Sequence, residues 1–254
     1  HAGGATREVI SGFGATRAFE LFRLYYHTTP ADLLLRARLD LAKQRLLTTA
    51  APLAEIAFGV GFDALSSFHE NFRHLNGLTP AAYRELRTSR TFTIDLPQGY
   101  MLPYLRRALS RDIHSVTERL VGDTYTSAVQ LSTGPALLNL ALSPDSVRAE
   151  ILGARSPGAE AHALVIGLLG LDQDATAFAR LAQKLDLARL VHGRSELRIC
   201  QTPSVFDGLL WSIIGQQINF PFACLLKRRL IERTGTPLDL PGADGRYAPP
   251  TPAA

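Results

Sequence analysis

PLAEIAFGVGFDALSSFHENFRHLNGLTPA, residues 52–81, changes its pattern in the middle. Pro52 suits the first turn of a helix, where its missing N–H is not needed, and Glu55, Ile56 and Ala57 continue one. Gly59 and Gly61 break it in GVGF, and a second helix is predicted from Asp63 or Ala64. Leu65, Phe68, Phe72 and Leu75 then recur at helical spacing, which predicts one buried stripe. Ser66, His69, Glu70 and Arg73 fall on the opposite, polar face. Two short helices across a glycine turn, the second polar outside, match a helix-turn-helix whose second helix enters the major groove. On this stretch alone, an ordinary pair of surface helices is an equally good reading.

The end of that stretch is a repeat. FRHLNGLTPA (72–81) echoes FRLYYHTTPA (22–31) at an offset of 50, and Gly61-Phe62 echoes Gly12-Phe13 at an offset of 49. Two copies are too few for a solenoid, so one small module is duplicated. Between them ADLLLRARLDLAKQRLL (31–47) is predicted to be one long amphipathic helix. RLDLAKQRLL followed by LAEIAFGVGFDALSSFHENFRHLNGLTPAAYR resembles the AraC-type DNA-binding domain over roughly residues 5–87, with the first helices of the first copy cut away. The resemblance implies base-reading places at Leu65, Ser66, His69 and Glu70 in the second recognition helix, and at Thr16, Phe19 and Glu20 in the first. Phe19 stands where that face usually carries a polar residue. A glutamate can accept from cytosine N4 and an apolar side chain can touch a thymine methyl, so neither forbids binding. His69 and His74 have no carboxylate or thiol set beside them, so solvated helix histidines are expected and no metal.

Past Arg87–Arg90 the period shortens. TFTIDLP (91–97) is β-branched and alternating, MLPYLRRAL (101–109) has the length of a short helix, and TYTSAVQLS, GPALLNLALS and VRAEILG alternate again across Thr-Gly-Pro and Ser-Pro-Asp. That predicts an antiparallel meander with one covered face. AHALVIGLLGLD and ATAFARLAQKLD return to a helical period. No nucleophile, carboxylate pair or phosphate loop stands out here. MLPYLRRALSRDIHSVTERLVGDTYTSAV and LLGLDQDATAFARLAQ resemble the amino-terminal domain of DNA-3-methyladenine glycosylase II, the AlkA type. In that family the aromatic at the place of Tyr104 helps line the pocket for the flipped base; without the resemblance, Tyr104 is a half-buried aromatic on a short helix.

LLWSIIGQQINFPFACLL (209–226) interrupts an apolar run with Gly215, Gln216, Gln217 and Asn219. Phe206, Leu209, Leu210, Ile213 and Ile214 predict the apolar face of one helix. Asn219 is a good N-cap and Pro221 is tolerated in a first turn, so a second helix begins there, with Leu225, Leu226, Leu230 and Ile231 on its apolar face and Gly235 ending it. The glutamines sit at the turn, with Lys227, Arg228, Arg229 and Arg233 on the second helix. From the residues alone, capping of the first helix and contact with something outside are equally good readings. SIIGQQINFPFA resembles the hairpin that opens the helix-hairpin-helix glycosylase domain, which implies that Gln216 and Gln217 meet DNA and that Gln217 is the wedge filling the gap left by an extruded base.

The bulk numbers agree with a globular protein: 254 residues, 46% hydrophobic, 20% charged, net charge +4, with no apolar run near the ~20 residues needed to cross a bilayer. Cys200 and Cys224 lie in apolar surroundings without CxxC spacing and are expected to be buried reduced thiols. His1 in place of Met, and the closing APPTPAA, look like interrupted ends. The expected fold is multidomain: an all-α double helix-turn-helix domain over 1–90, an α+β domain of antiparallel sheet and helices over 91–200, and over 201–254 the first helical hairpin of an all-α helix-hairpin-helix glycosylase domain. The resemblances imply a transcription regulator fused to a base-excision glycosylase for alkylated bases, cytoplasmic and at the nucleoid, with no cofactor. Its partners would be double-stranded DNA, promoter and alkylated, and RNA polymerase. The catalytic aspartate and phosphate-binding hairpin of the family have no counterpart here, Asp239 and Asp244 lying in a Pro/Gly-rich loop, so this chain is expected to have no catalytic residue. The alternative is a regulator alone, with a non-catalytic sensing or assembly domain; a carbohydrate-responsive regulator is a weaker third.

Overall fold

The computed structural model describes residues 14–26, 28–155 and 157–252. The Gly12-Phe13 turn of the first repeat lies outside the described residues. The chain divides into two compact units, His1–Phe68 and His69–Ala254.

The first unit is helical: α1 Ala15–Tyr26, α2 Pro30–Thr48, α3 Leu53–Gly59 and the start of α4 Leu65–Asn76. The long bridging helix buries Leu39, Ala42 and Leu46 at helical spacing, while Leu33 and Leu34 near its start are exposed. Between α3 and α4 the backbone closes in a Schellman arrangement: Gly61 N donates to Phe58 O at 3.0 Å and Phe62 N to Ala57 O at 3.1 Å. Gly61 takes φ +94°, a conformation that a Cβ would strain. Phe62 then meets Phe68 edge-on at 5.3 Å.

The second unit opens with the rest of α4 and α5 Pro80–Glu85. The repeated Thr-Pro-Ala has a local cause. Thr29 Oγ1 accepts from Asp32 N at 3.1 Å, and Thr79 Oγ1 from Ala82 N at 3.2 Å, each with a proline in the first turn behind it. The repeat is therefore one N-cap used twice, to start α2 and α5.

Next come β1 Thr91–Asp95, α6 Leu102–Leu109, β2 Glu118–Val121, β3 Thr124–Leu131, β4 Gly134–Leu142 and β5 Ser146–Leu152, then α7 Gly158–Leu169, α8 Ala175–Lys184, α9 Ala188–Val191, α10 Val205–Ile214 and α11 Phe220–Thr234. The five strands form one antiparallel sheet in the order β1-β5-β4-β3-β2, with Phe92 opposite Ala149 and Tyr125 opposite Leu140. Strand β2 was not foreseen: ERLV has only two apolar residues, and its pairing is given by its neighbour β3 rather than by its own propensity.

The expectation of one covered face is corrected. Ala128 and Val129, and Leu137 and Leu138, are all buried, and neighbouring strand residues point to opposite faces. A two-stranded hairpin, β6 Thr236–Pro237 and β7 Tyr247–Ala248, folds back so that Leu238, Ala243 and Ala248 pack on Ala128 and Leu137. Helix α7 lies against β1 and β5. Among the described residues no helix is long and apolar enough to cross a membrane.

Candidate nucleic-acid interface

Helix α4 carries the first candidate surface. Phe68 and Phe72 are fully buried, which turns the other side outward: Ser66, Glu70 and Arg73 are exposed and His69 is half-buried. Leu65, Ser66, His69 and Glu70 stand one and four residues apart and therefore share that outer side. Two members of the expected buried stripe depart from it. Leu65 is 36% exposed and Leu75 half-buried, Leu65 because it opens the helix and has no preceding turn over it. Exposure suits Leu65 for apolar contact with a base.

On α1, Thr16, Phe19 and Glu20 are all exposed. Phe19, at 42% exposed, is a large apolar ring on a polar face. Glu20 pairs with Arg17 at 3.2 Å, an exposed i,i+3 contact worth under about 1 kcal/mol.

Tyr104 sits in α6, half-buried, between the buried Leu105 and the solvent. Pro103 starts the helix, and Arg106 and Arg107 close it at the end that favours positive charge. Arg106 pairs with Asp123 and donates to Gly122 O at 2.9 Å, fixing α6 to the β2–β3 turn.

The glutamines sit between two capped helices. Ser204 Oγ accepts from Asp207 N at 3.1 Å to start α10, and Asn219 Oδ1 accepts from Phe222 N at 3.0 Å to start α11. Gly215 ends α10, donating its N–H to Trp211 O at 2.9 Å. The amino-terminal caps are thus supplied by other residues, while at the carboxyl end of α10 the Gln216 backbone N–H donates to Ile213 O at 3.3 Å; among the described residues neither glutamine side chain makes a hydrogen bond. Both are exposed, and Gln217 takes φ +57°. A left-handed non-glycine residue costs on the order of 1–3 kcal/mol, and such strain clusters where chains contact ligands.

The expected apolar face of α10 is corrected: Leu209 is 57% and Ile213 67% exposed, while Phe206, Leu210 and Ile214 are half-buried. On α11, Ile231 is buried and Leu225, Leu226 and Leu230 are half-buried.

A feature not foreseen lies at the base of this tip. The rings of Trp211 and Phe220 stack 5° from parallel at 6.0 Å; Arg111 lies 4.7 Å over Phe220 and Lys227 4.6 Å over Trp211. Each cation–ring contact is worth about 0.5–1 kcal/mol at an exposed site. Arg111 comes from the loop after α6, Trp211 from α10, and Phe220 and Lys227 from α11, so no single helical period joins all four. Beside them, burial foremost and then Asp112, which accepts its hydrogen bond, push the Cys224 thiol up, against Lys227 and Arg111. Cys224 is buried as expected; Cys200 is only partly so, and burial pushes its thiol up to about 11.

A family described as "Helix-turn-helix domain" matches residues 10–86. Regulatory protein SoxS of Escherichia coli is 34% identical over 74 residues, 29% of this chain and 69% of that protein. A probable bifunctional transcriptional activator/DNA repair enzyme AlkA of Mycobacterium tuberculosis is 24% identical over 255 residues, 93% of this chain and 51% of that protein. In fold, a 3-methyladenine DNA-glycosylase from Archaeoglobus fulgidus matches 63% of this chain and 56% of its own at a TM-score of 0.54 and 18% identity. The chain spans about half the length, or less, of the first curated relatives it matches.

Proposed function

We propose that this chain, which belongs to the AraC-type helix-turn-helix regulators and is similar over 93% of its length to a bifunctional activator and repair enzyme, is the DNA-engaging part of a bifunctional alkylation-response protein. In this proposal residues 1–90 bind promoter DNA, 91–200 form the glycosylase's amino-terminal domain, and 201–254 begin its helix-hairpin-helix domain. Leu65, Ser66, His69 and Glu70 read bases from α4, and Thr16, Phe19 and Glu20 from α1. Tyr104 faces the extruded base. RNA polymerase is met at the promoter, and the protein works in the cytoplasm at the nucleoid. The whole protein hydrolyses the N-glycosidic bond of 3-methyladenine-type lesions.

The observation that carries the glycosylase half is the tip of the α10–α11 pair. The amino-terminal caps of both helices are filled by Ser204 and Asn219, and the Gln217 side chain stands exposed at the turn, on a left-handed backbone. Glutamine has a flat amide that can lie between bases and hydrogen-bond their edges. Flipping a base costs a few kcal/mol, and a plug in the stack offsets part of it.

Base release from methylated DNA tests the proposal. The full-length protein that carries this sequence is expected to free 3-methyladenine, and absence of any release would defeat the proposal. Duplex binding by the chain should fall with salt, each neutralised phosphate adding about 0.9 to the slope of log K against log salt.

A further inference from the structure

We propose that His162 is a positioning residue for DNA reading: it caps the carboxyl end of α4 from inside the sheet domain, so that the half of α4 bearing His69 and Glu70 moves as one body with the sheet. The proposal rests on the assignment of α4 as a DNA-reading helix.

The last carbonyls of a helix have no partner within it. At the end of α4 that need is met from far along the chain. Asn76 is 5% exposed, and its backbone oxygen lies 2.7 Å from Nε2 of His162, which is 3% exposed on α7. A carbonyl only accepts, so His162 carries a proton on Nε2 there. Around it the rings pack closely: Phe72 with Tyr83 at 5.4 Å and Tyr83 with His162 at 5.2 Å, both edge-on, and Phe92 with His162 at 5.6 Å, tilted by 60°. Arg73 of α4 pairs with Asp95 of β1 at 2.5 Å.

Two glycines show how closely the pieces meet. A Cβ on Gly77, just past α4, would stand 2.6 Å from Ile94 Cγ2. One on Gly158, at the start of α7, would stand 2.5 Å from Leu86 O and 2.9 Å from Ser89 O. Contacts this tight leave no room for a hinge between residues 69–90 and the sheet. A base-reading helix needs no cap from a separate domain; a helix whose placement on DNA must be passed to that domain does.

The test is amide hydrogen exchange on the whole chain, with binding to a mixed-sequence duplex at low salt. His162→Ala orphans the Asn76 carbonyl, so exchange over 69–77 should rise on the order of ten- to hundredfold, the range for losing a buried polar partner, while β3 and β4 stay protected. Duplex affinity should fall several-fold. His162→Gln, whose amide can reach the same carbonyl, should restore most of both. Asp95→Asn, an exposed change that leaves the core intact, should loosen 69–77 less. Unchanged exchange at 69–77 in both His162→Ala and Asp95→Asn overturns the joint. So does an equal rise in exchange over 69–77 and over β3 and β4. Local loosening with unchanged affinity, where Glu70→Ala does weaken binding, overturns the coupling. If neither His162→Ala nor Glu70→Ala alters binding, it is the reading assignment of α4 that falls.

Discussion

Two turns in this molecule, 59–64 and 215–219, join helix to helix, and each contains a residue in the left-handed half of backbone space. In the first the residue is Gly61, and everything around it is architecture: paired Schellman hydrogen bonds, Phe62 against Phe68, Phe68 fully buried. In the second the residue is Gln217, exposed, between helices whose amino-terminal caps are filled. Glycine adopts such a conformation at no steric cost, whereas glutamine there is strained. The difference separates a left-handed residue enclosed by packing from one that stands exposed.

The faces of the two helix pairs differ in the same sense. Phe72 on α4 is completely enclosed, while Ile213 on α10 is 67% exposed. Phe72→Ala should therefore destabilise the chain by about 3–5 kcal/mol, the range for emptying a buried aromatic site. Ile213→Ala in the same chain should change it by less than about 0.5 kcal/mol, as surface substitutions do. Denaturant unfolding of both variants checks the pair, and similar losses would erase the contrast.

The turns themselves can be exchanged in character. Gly61→Ala forces a Cβ into φ +94°, where it would also stand 3.0 Å from Arg38 Nε. A loss of about 1–3 kcal/mol is expected in thermal melting. Asn219→Ala removes the α11 cap and should cost about 0.5–2 kcal/mol.

Gln217→Ala, like Ile213→Ala, should change stability by under about 0.5 kcal/mol. Its signature is elsewhere. In the complete protein, affinity for an abasic-site duplex and excision should both fall, with intact duplex bound as before. Equal losses on intact and abasic DNA would remove the reason for calling the tip a wedge, and a stability loss in the cap range would assign Gln217 to the helix end instead.

Much of this was legible along the chain. The glycine turn, the helix of 65–76, the long bridging helix and four strands of the sheet are local events, fixed by spacing, turn residues and caps within a few positions of one another. The Thr-Pro-Ala repeat is readable for the same reason, since a cap acts three residues away. Asn219 as a cap and the glutamines at a turn were legible too. Leu209 and Ile213 were not, because a helical period says which residues share a face and leaves open whether anything covers it. Strand β2, the second cover of the sheet by 236–248, the Arg111–Phe220–Trp211–Lys227 ladder and the His162 cap all depend on residues far apart in sequence. Sequence alone determined most of the helices, four strands of the sheet and where the chain turns between them, since these follow from short-range sterics and hydrogen bonding. Only the tertiary structure decided which faces are enclosed and which end of α4 is held, since burial and pairing across 86 residues are properties of the packed chain.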